Sequence, residues 1–304
     1  MAFVNLSKAF DTVSRELLWD ILFGCPDTFV NILCQFHDGM KALVDIGGQE
    51  SVPFGVSIGV RQGCVLAPVL FNIFLLCVTQ LLHKELEESS TVAVDFRLDG
   101  NRFNIRRLQA TTKVLTERVL KLQYADDCAL VAHTREDLQS VLGAAVRVYS
   151  MMGLSINTTK TEVVCQWRSS PPPTMPVFTI EHKSLATVPS FKYLGSILSE
   201  DCSINLEIQN RIKQASAALG KLRRRVFQNR GLHLHTKVTV YQAVCITTLL
   251  YSCEAWVTYS HHNKQLERFY VPHAPNTSGV DITVKCLLTA LNQQCIFFFY
   301  KKVK

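Results

Sequence analysis

Apolar positions near the start of the chain change from the period of a strand to the period of a helix. The apolar run 2–10, broken by Asn5, predicts a strand, and Ser14 follows as the N-cap of an amphipathic helix. A second helix is predicted to begin near Pro26 and to stop at Gly39. Its residues predicted to face the core are Phe29, Ile32, Leu33 and Phe36. The chain therefore opens as strand, helix, helix.

The next stretch predicts a β-hairpin and a long buried helix. Residues 42–46 and 51–54 flank a Gly-Gly pair, which is typical of a hairpin turn. After the glycine-bearing segment 59–68, an apolar helix is predicted over 69–86. No uninterrupted apolar run approaches the roughly 18 residues that a membrane span needs. This helix is therefore predicted to lie in the core of a globular protein.

Two short apolar strands, 120–124 and 128–132, are predicted on either side of a tight turn that carries Asp126 and Asp127. Carboxylate oxygens held together at a sheet edge suit Mg²⁺, which prefers hard oxygen ligands. Aspartates are also ordinary turn residues. The two residues alone leave both interpretations open.

The second half of the chain predicts a boundary and then a basic helix. The proline-rich segment 169–176 is typical of a linker, and 191–198 predicts a strand pair. Apolar residues at spacings of four and three then predict a helix over 205–228. The cationic residues predicted to lie largely off its apolar face are Arg211, Lys213, Lys221, Arg223, Arg224 and Arg225. Such a surface favours a polyanionic partner, although a solvated charged face is an equally good interpretation of any single residue.

Composition bounds these interpretations without deciding between them. The 304 residues are 48% hydrophobic, enough to fill a core, and the formal net charge of +7 permits a nucleic-acid partner without requiring one. The eleven cysteines form no C-x-x-C pair and fall inside apolar segments, which predicts reduced thiols in the core. Since the start of the chain lacks the features of a secretory signal, we expect an intracellular protein, nuclear or cytoplasmic, with no membrane partner. Nothing in the sequence implies an obligate protein partner.

Five ordered segments resemble the palm motifs of reverse transcriptases from non-LTR (LINE-type) retrotransposons, with the RTE-like branch as the predicted subgroup. They are AFVNLSKAFDTVSRELLWDIL (2–22), GVRQGCVLAPVLFNIFL (59–75), KLQYADDCALVA (121–132), GLSINTTKTEVV (153–164) and FKYLGSILSED (191–201). The third contains the Y-x-D-D box of that family. The resemblance covers residues 2 to about 269, and it implies an RNA-directed DNA polymerase that uses an RNA template, a DNA primer and deoxynucleoside triphosphates.

The resemblance also implies a fold and its divisions. We expect an α+β polymerase palm, a ferredoxin-like sheet with helices on one face, followed by a helical thumb-like region. The expected divisions are a palm at 1–168, a linker and primer-grip hairpin at 169–202, a thumb or connection region at 203–269 and an unmatched tail at 270–304. Because the first motif begins at residue 2, the fingers that precede it in the family are expected to be missing, as in an N-terminally truncated copy.

The motif positions imply roles for individual residues. Two Mg²⁺ ions in the family are held by three carboxylates, at the positions of Asp126, Asp127 and Asn5. Lys160 matches a general acid or phosphate partner. Nucleotide binding is implied for Phe10, Gln62 and Gly63, primer grip for Tyr193, Leu194 and Gly195, and backbone contact for the basic residues of the helix over 205–228. Without the resemblance, Phe10 would be a core residue, Lys160 an exposed lysine, and the 62–63 and 193–195 segments plain turns.

The departure at Asn5 is the main difference from the family pattern. An amide oxygen can bind a cation but carries no charge, so a site for two divalent ions loses a large electrostatic contribution. We therefore expect impaired catalysis. Two alternatives remain open at this point, a non-catalytic nucleic-acid-binding remnant and a decayed element copy without function.

Overall fold

The computed structural model describes residues 1–86, 91–97, 114–167 and 174–273. The chain divides into two compact units, the first formed by Met1–Ala93 and Arg118–Val188 and the second by Val94–Glu117 and Pro189–Lys304. All but the first four residues of the unmatched tail predicted at 270–304 lie outside the described residues.

The first unit contains four helices and a set of short strands. Its helices are α1 Arg15–Ile21, α2 Asp27–His37, α3 Ala67–Glu85 and α4 Arg135–Met151. The strands before residue 120 are β1 Ala2–Val4, β2 Lys41–Ala42, β3 Asp45–Ile46, β4 Gln49–Glu50, β5 Phe54–Gly55, β6 Val92–Arg97 and β7 Val114–Val119, and most of β6 and β7 belongs to the second unit. Those that follow are β8 Lys121–Tyr124, β9 Asp127–Leu130, β10 Glu162–Val163, β11 Thr179–Ile180, β12 Lys183–Ser184 and β13 Ala186–Thr187. The predicted hairpin about the Gly-Gly pair is confirmed as β3–β4, with shorter strands.

A five-stranded sheet in the order β13-β10-β1-β9-β8 forms the centre of this unit. Strand β1 runs antiparallel to both of its neighbours, and only β10 and β13 are parallel. One face of the sheet is buried in the hydrophobic core through Ala2, Val4, Cys128 and Leu130. Residues of α3 and α4 belong to the same core, so helices cover this face and the unit is a mixed α and β structure.

Helix α3 is the longest apolar element and the principal core helix. Phe71, Phe74, Val78 and Leu82 lie at helical spacing and are fully buried. Among the described helices it is the one long and apolar enough to cross a membrane by length and composition. Its buried stripe packs within the first unit, as a core helix does.

Helix α1 begins as predicted, because the Ser14 side chain accepts a hydrogen bond from the Leu17 amide. The burial predicted for α2 is wrong for three of its four residues. Leu33 is buried, but Phe29, Ile32 and Phe36 are 50%, 47% and 67% exposed. Helix α2 has more apolar residues than one face can hold, and it turns the face of Leu33 and His37 inward.

Over the described residues 189–273, the second unit is helical apart from one hairpin. Strands β14 Ser190–Tyr193 and β15 Ser196–Ser199 pair antiparallel, and the helices are α5 Asn205–Leu222, α6 Leu234–Val240, α7 Thr247–Leu249 and α8 Ser260–His273. The helix predicted over 205–228 ends in a π-helical turn at Arg223–Phe227. A second π turn, Tyr241–Ile246, joins α6 to α7. A small core of Ile208, Ala215, Leu249, Leu266 and Phe269 holds α5, α7 and α8 together.

The thiol prediction can be checked in the part of the chain that the structure describes. Nine cysteines are free there, in buried, intermediate and exposed positions. The predicted core position is confirmed for Cys128 and Cys245, which are buried, and is wrong for Cys25 and Cys202, which are exposed.

Candidate active site

The two aspartates lie at the hairpin turn between β8 and β9. Tyr124 pairs with Asp127, which leaves Ala125 and Asp126 as the turn. Ala125 has φ of +50°, an uncommon value for a residue with a side chain. The Gln123 side-chain nitrogen Nε2 donates to the Ala125 carbonyl at 3.2 Å, which helps to fix this conformation. The carboxylates are therefore presented side by side at the end of a rigid strand pair.

The register between β1 and β9 bears on the position of Asn5. In the β1–β9 pair, Ala2 lies opposite Leu130, Phe3 opposite Ala129 and Val4 opposite Cys128. Asn5 follows the last residue of β1, and a continuation of the same register by one residue would set it opposite Asp127. Directly opposed residues of antiparallel strands project from the same face, with Cβ atoms about 4.5–5.5 Å apart. Such a continuation would bring Asn5, which the resemblance assigns to a third carboxylate, close to Asp127.

Repulsion between like charges shapes the electrostatics of this turn. Partial burial, and then the neighbouring Asp126 carboxylate, raise the pKa of Asp127 above its ordinary value. A cation between the two carboxylates would relieve both effects. Holding the two carboxylates close together therefore costs free energy, and the binding of a cation can offset that cost.

The donor set fits one hard divalent cation better than two. Asp126 and Asp127 supply charged oxygens of the kind Mg²⁺ prefers, and Asn5 supplies a neutral amide oxygen. The two aspartates supply two negative charges, whereas two divalent cations would bring four positive charges. Within the described ranges, no group of three or more His, Cys, Asp or Glu side chains could hold a metal ion.

The turn that carries Lys160 is tied to the backbone of Asn5. The Asn157 amide donates to the Asn5 carbonyl at 2.7 Å, and the Asn5 amide donates to the Thr161 hydroxyl at 3.3 Å. Lys160 lies inside this turn and is exposed, and its amide donates to the Asn157 carbonyl at 3.2 Å. The structure therefore brings Lys160 into the neighbourhood of Asn5. The sequence did not single out Thr161, since a threonine at a strand start carries no distinguishing signal.

Phe10 and the glycine-bearing loop lie side by side. The Phe10 ring stacks on Phe71 with centroids 4.2 Å apart, and the Val60 amide donates to the Phe10 carbonyl at 2.9 Å. At Gly59, φ is +81° and an added Cβ would lie 2.6 Å from the Asp11 carbonyl oxygen. A side chain there would push the two segments apart, so glycine is required. Gln62 and Gly63 follow in the same loop and are exposed.

Arg15 supports the loop that begins at Gly59, and the sequence did not identify this arginine as a site residue. Its guanidinium donates to the carbonyls of Gly59 at 2.8 Å, His37 at 2.9 Å and Val56 at 3.0 Å. Desolvation lowers the pKa of Arg15. An arginine in the first turn of an amphipathic helix looks like an ordinary exposed cation, and only the fold reveals its carbonyl partners.

In the second unit, the predicted primer-grip residues form the turn of the β14–β15 hairpin. Tyr193 pairs with Ser196, which leaves Leu194 and Gly195 at the tip. Leu194 is 40% exposed. The turn is thus accessible at its tip.

The basic residues predicted to face outward divide into two groups. Lys213, Lys221, Arg223, Arg224 and Arg225 are exposed. Arg211 is not, and its predicted outer position is wrong, because it is 4% exposed and pairs with Glu207, itself 2% exposed, at 2.6 Å. Their spacing of four residues on a helix was a signal for this pair in the sequence.

The exposed group surrounds the end of α5. An open cleft of about 410 Å³ is lined by Gly220, Lys221, Arg223, Arg224, Arg225 and Gln228. The Gln228 amide donates to the Arg223 carbonyl at 2.8 Å, the i to i+5 bond of a π turn. The cleft concentrates positive charge as a site for phosphate groups would.

Comparison with known proteins identifies the class to which this fold and site belong. The family model for the reverse transcriptase (RNA-dependent DNA polymerase) matches residues 1–198, and the chain belongs to that family. Its relatives narrow this to the reverse transcriptase domain of non-LTR retrotransposons. The family implies a polymerase palm, in agreement with the mixed sheet and helices of the first unit.

Three relatives show the extent of the likeness. The chain is 29% identical over 162 residues to the Pol polyprotein of type-2 retrotransposable element R2DM from Drosophila melanogaster, covering 53% of this chain and 13% of the relative. It is 26% identical over 205 residues to that of a type-1 element R2 from Popillia japonica, covering 64% and 30%. It is 23% identical over 271 residues to the RNA-directed DNA polymerase of mobile element jockey from Drosophila funebris, covering 86% and 26%. The chain thus spans less than a third of each of these relatives.

Proposed function

We propose that the first unit is the palm of an RNA-directed DNA polymerase whose nucleotidyl transfer is impaired by Asn5. The observation that supports the proposal is the β1–β9 register, whose continuation by one residue would set Asn5 opposite Asp127. By motif resemblance, Asn5 takes the position of the family's third carboxylate.

Each residue of the site would have a distinct part in the reaction. Asp126 and Asp127 would hold Mg²⁺, which when bound supplies charge neutralisation on the triphosphate and activation of the primer 3′ hydroxyl. Lys160 would give a proton to the departing pyrophosphate. Phe10 would exclude a ribose 2′ hydroxyl, and the 62–63 loop would contact the incoming nucleotide and the template.

The nucleic-acid substrates follow from the relatives and from the charge of the second unit. The jockey relative is an RNA-directed DNA polymerase, and we infer that this chain would likewise act on an RNA template with a DNA primer. Residues 193–195 would contact the primer strand in a thumb-like second unit. The exposed cations that would contact backbone phosphates are Lys213, Lys221, Arg223, Arg224 and Arg225.

The expected loss of rate follows from the one negative charge that Asn5 does not supply. One unit charge about 4 Å from a cation is worth about 4 kcal/mol at an effective dielectric constant of 20. Lost from the transition state, that amount corresponds to a rate reduced about 10³-fold. Weaker metal binding would add to this loss.

The test is primer extension on a poly(rA)/oligo(dT) template with Mg²⁺. We expect Asn5→Asp to extend the primer far faster than the unaltered chain, and Asn5→Asp combined with Asp126→Ala to be inactive. Extension by the unaltered chain that equals that of Asn5→Asp would refute the impairment. No extension by any variant would refute a competent palm in this chain.

A second function, nucleic-acid binding without catalysis, is favoured by the basic cleft at the end of α5. The cleft residues lie in the second unit and do not depend on the carboxylates. Binding of the template–primer duplex in EDTA, with no extension by Asn5→Asp, would support this function. Binding that needs Mg²⁺ would count against it.

A further inference from the structure

The tip of the β14–β15 hairpin has a backbone conformation that its sequence disfavours. Leu194 has φ of +48° and Gly195 has φ of +88°. Two-residue hairpin turns with both central φ values positive prefer Asn-Gly or Asp-Gly, because a left-handed conformation is costly for most side chains. A leucine with an exposed side chain stabilises such a turn poorly. Something outside the turn must hold it.

Three side chains of the second unit hold the turn through its backbone. The hydrogen bonds run from the Tyr251 hydroxyl to the Leu194 carbonyl at 2.9 Å, from Arg211 Nη2 to the Gly195 carbonyl at 2.6 Å, and from the Ile197 amide to Glu207 Oε2 at 2.8 Å. We call Glu207, Arg211 and Tyr251 the turn clamp. The clamp binds both carbonyls of the turn.

The clamp residues also brace one another. Arg211 Nε donates to Glu207 Oε1 at 2.6 Å, and the guanidinium carbon lies 4.5 Å from the centre of the Tyr251 ring, a cation–π contact. A Cβ at Gly195 would lie 3.4 Å from that ring. The ion pair is buried, and several hydrogen bonds together fix its geometry. The turn thus lies on a rigid polar support.

We propose that the turn clamp positions residues 193–195 to contact the primer strand. This inference rests on the proposed polymerase or nucleic-acid-binding function. A hairpin needs no such support if its turn is Asn-Gly. Here a buried ion pair instead holds a strained turn whose Leu194 side chain is exposed. Strain of this kind persists where the surroundings fix it, and it clusters at binding and catalytic sites.

The test uses the full chain and a fluorescein-labelled RNA template–DNA primer duplex without Mg²⁺, with anisotropy as the measure of Kd. We expect Tyr251→Phe, which keeps the ring and removes the hydrogen bond, to raise Kd about two- to tenfold, the range for one lost hydrogen bond. Tyr259→Phe, at an exposed tyrosine of the same unit, is the matched control and should leave Kd unchanged.

A rescue experiment separates positioning from general stability. Leu194→Asn makes the turn Asn-Gly, so in the Tyr251→Phe background it should restore Kd to within about twofold of Leu194→Asn alone. If Tyr251→Phe weakens binding and Leu194→Asn does not restore it, the effect is one of packing and the positioning role is wrong. An unchanged Kd in Tyr251→Phe would overturn the role as well. An unaltered chain that fails to bind the duplex would overturn the proposed function, and with it the role of the clamp.

Discussion

Replacing Arg211 with methionine tests whether the ion pair of the second unit is as buried as the structure shows. The substitution removes the bonds to Glu207, to the Gly195 carbonyl and to Gln214, of which the first two are 2.6 Å long. It leaves the Glu207 carboxylate buried with the Ile197 amide as a remaining partner. Breaking a buried pair in this way costs about 3–5 kcal/mol. This is a large share of the roughly 5–15 kcal/mol that stabilises a typical domain.

Urea denaturation followed by circular dichroism would measure the change in unfolding free energy. Lys213→Met, at an exposed position of the same helix, should change it by no more than about 0.5 kcal/mol. Adding Glu207→Leu to Arg211→Met removes the stranded charge and should recover at least half of the loss, since apolar replacement of a whole buried pair is often tolerated. A loss below about 1 kcal/mol for Arg211→Met alone would refute the reasoning, because water would then be reaching the pair.

Three further predictions concern single positions. Gly59→Ala should destabilise the first unit by more than about 1 kcal/mol in urea denaturation, because a Cβ meets the Asp11 carbonyl and φ is positive, whereas Gly55→Ala should have little effect. Burial lowers the pKa of His262. The stability that neutral His262 contributes is therefore present above about pH 6.5 and is lost as pH falls. In thermal melts, His262→Gln should make the melting temperature less dependent on pH in this range. The pKa of Asp127 is raised, so the stability that this group contributes is present below about pH 3.8 and is lost as pH rises; urea denaturation should show Asp127→Asn to be more stable than the unaltered chain at pH 7 but not at pH 3.

The polar residues predicted the position of the candidate active site more accurately than the apolar residues predicted which side chains are buried. The Asp126–Asp127 turn between two strands is formed as expected, because alternation and turn chemistry are local properties. The neighbourhood of Asn5 depends on pairing between β1 and β9, which lie more than a hundred residues apart in the chain. Only the motif resemblance suggested that neighbourhood in advance.

The errors have a common physical origin. Arg211 and the exposed face of α2 were both assigned from helical period, which says which residues share a face but not what lies against that face. A charged residue was buried because an acidic partner lies one turn away. An apolar face was exposed because the inward stripe of α2 runs through Leu33 and His37. The π turns at 223–227 and 241–246 interrupt helices whose periodicity gave no warning.

The exposed face of α2 makes the colloidal behaviour of the purified chain a practical concern. Phe29, Ile32 and Phe36 project three large apolar side chains from one short helix. Such faces promote self-association, and the opposing force is mutual repulsion from a net charge of +7. That repulsion is screened within about 10 Å at 0.1 M salt. Dilute buffers of low ionic strength, which also favour binding to phosphate backbones, should therefore keep the chain dispersed.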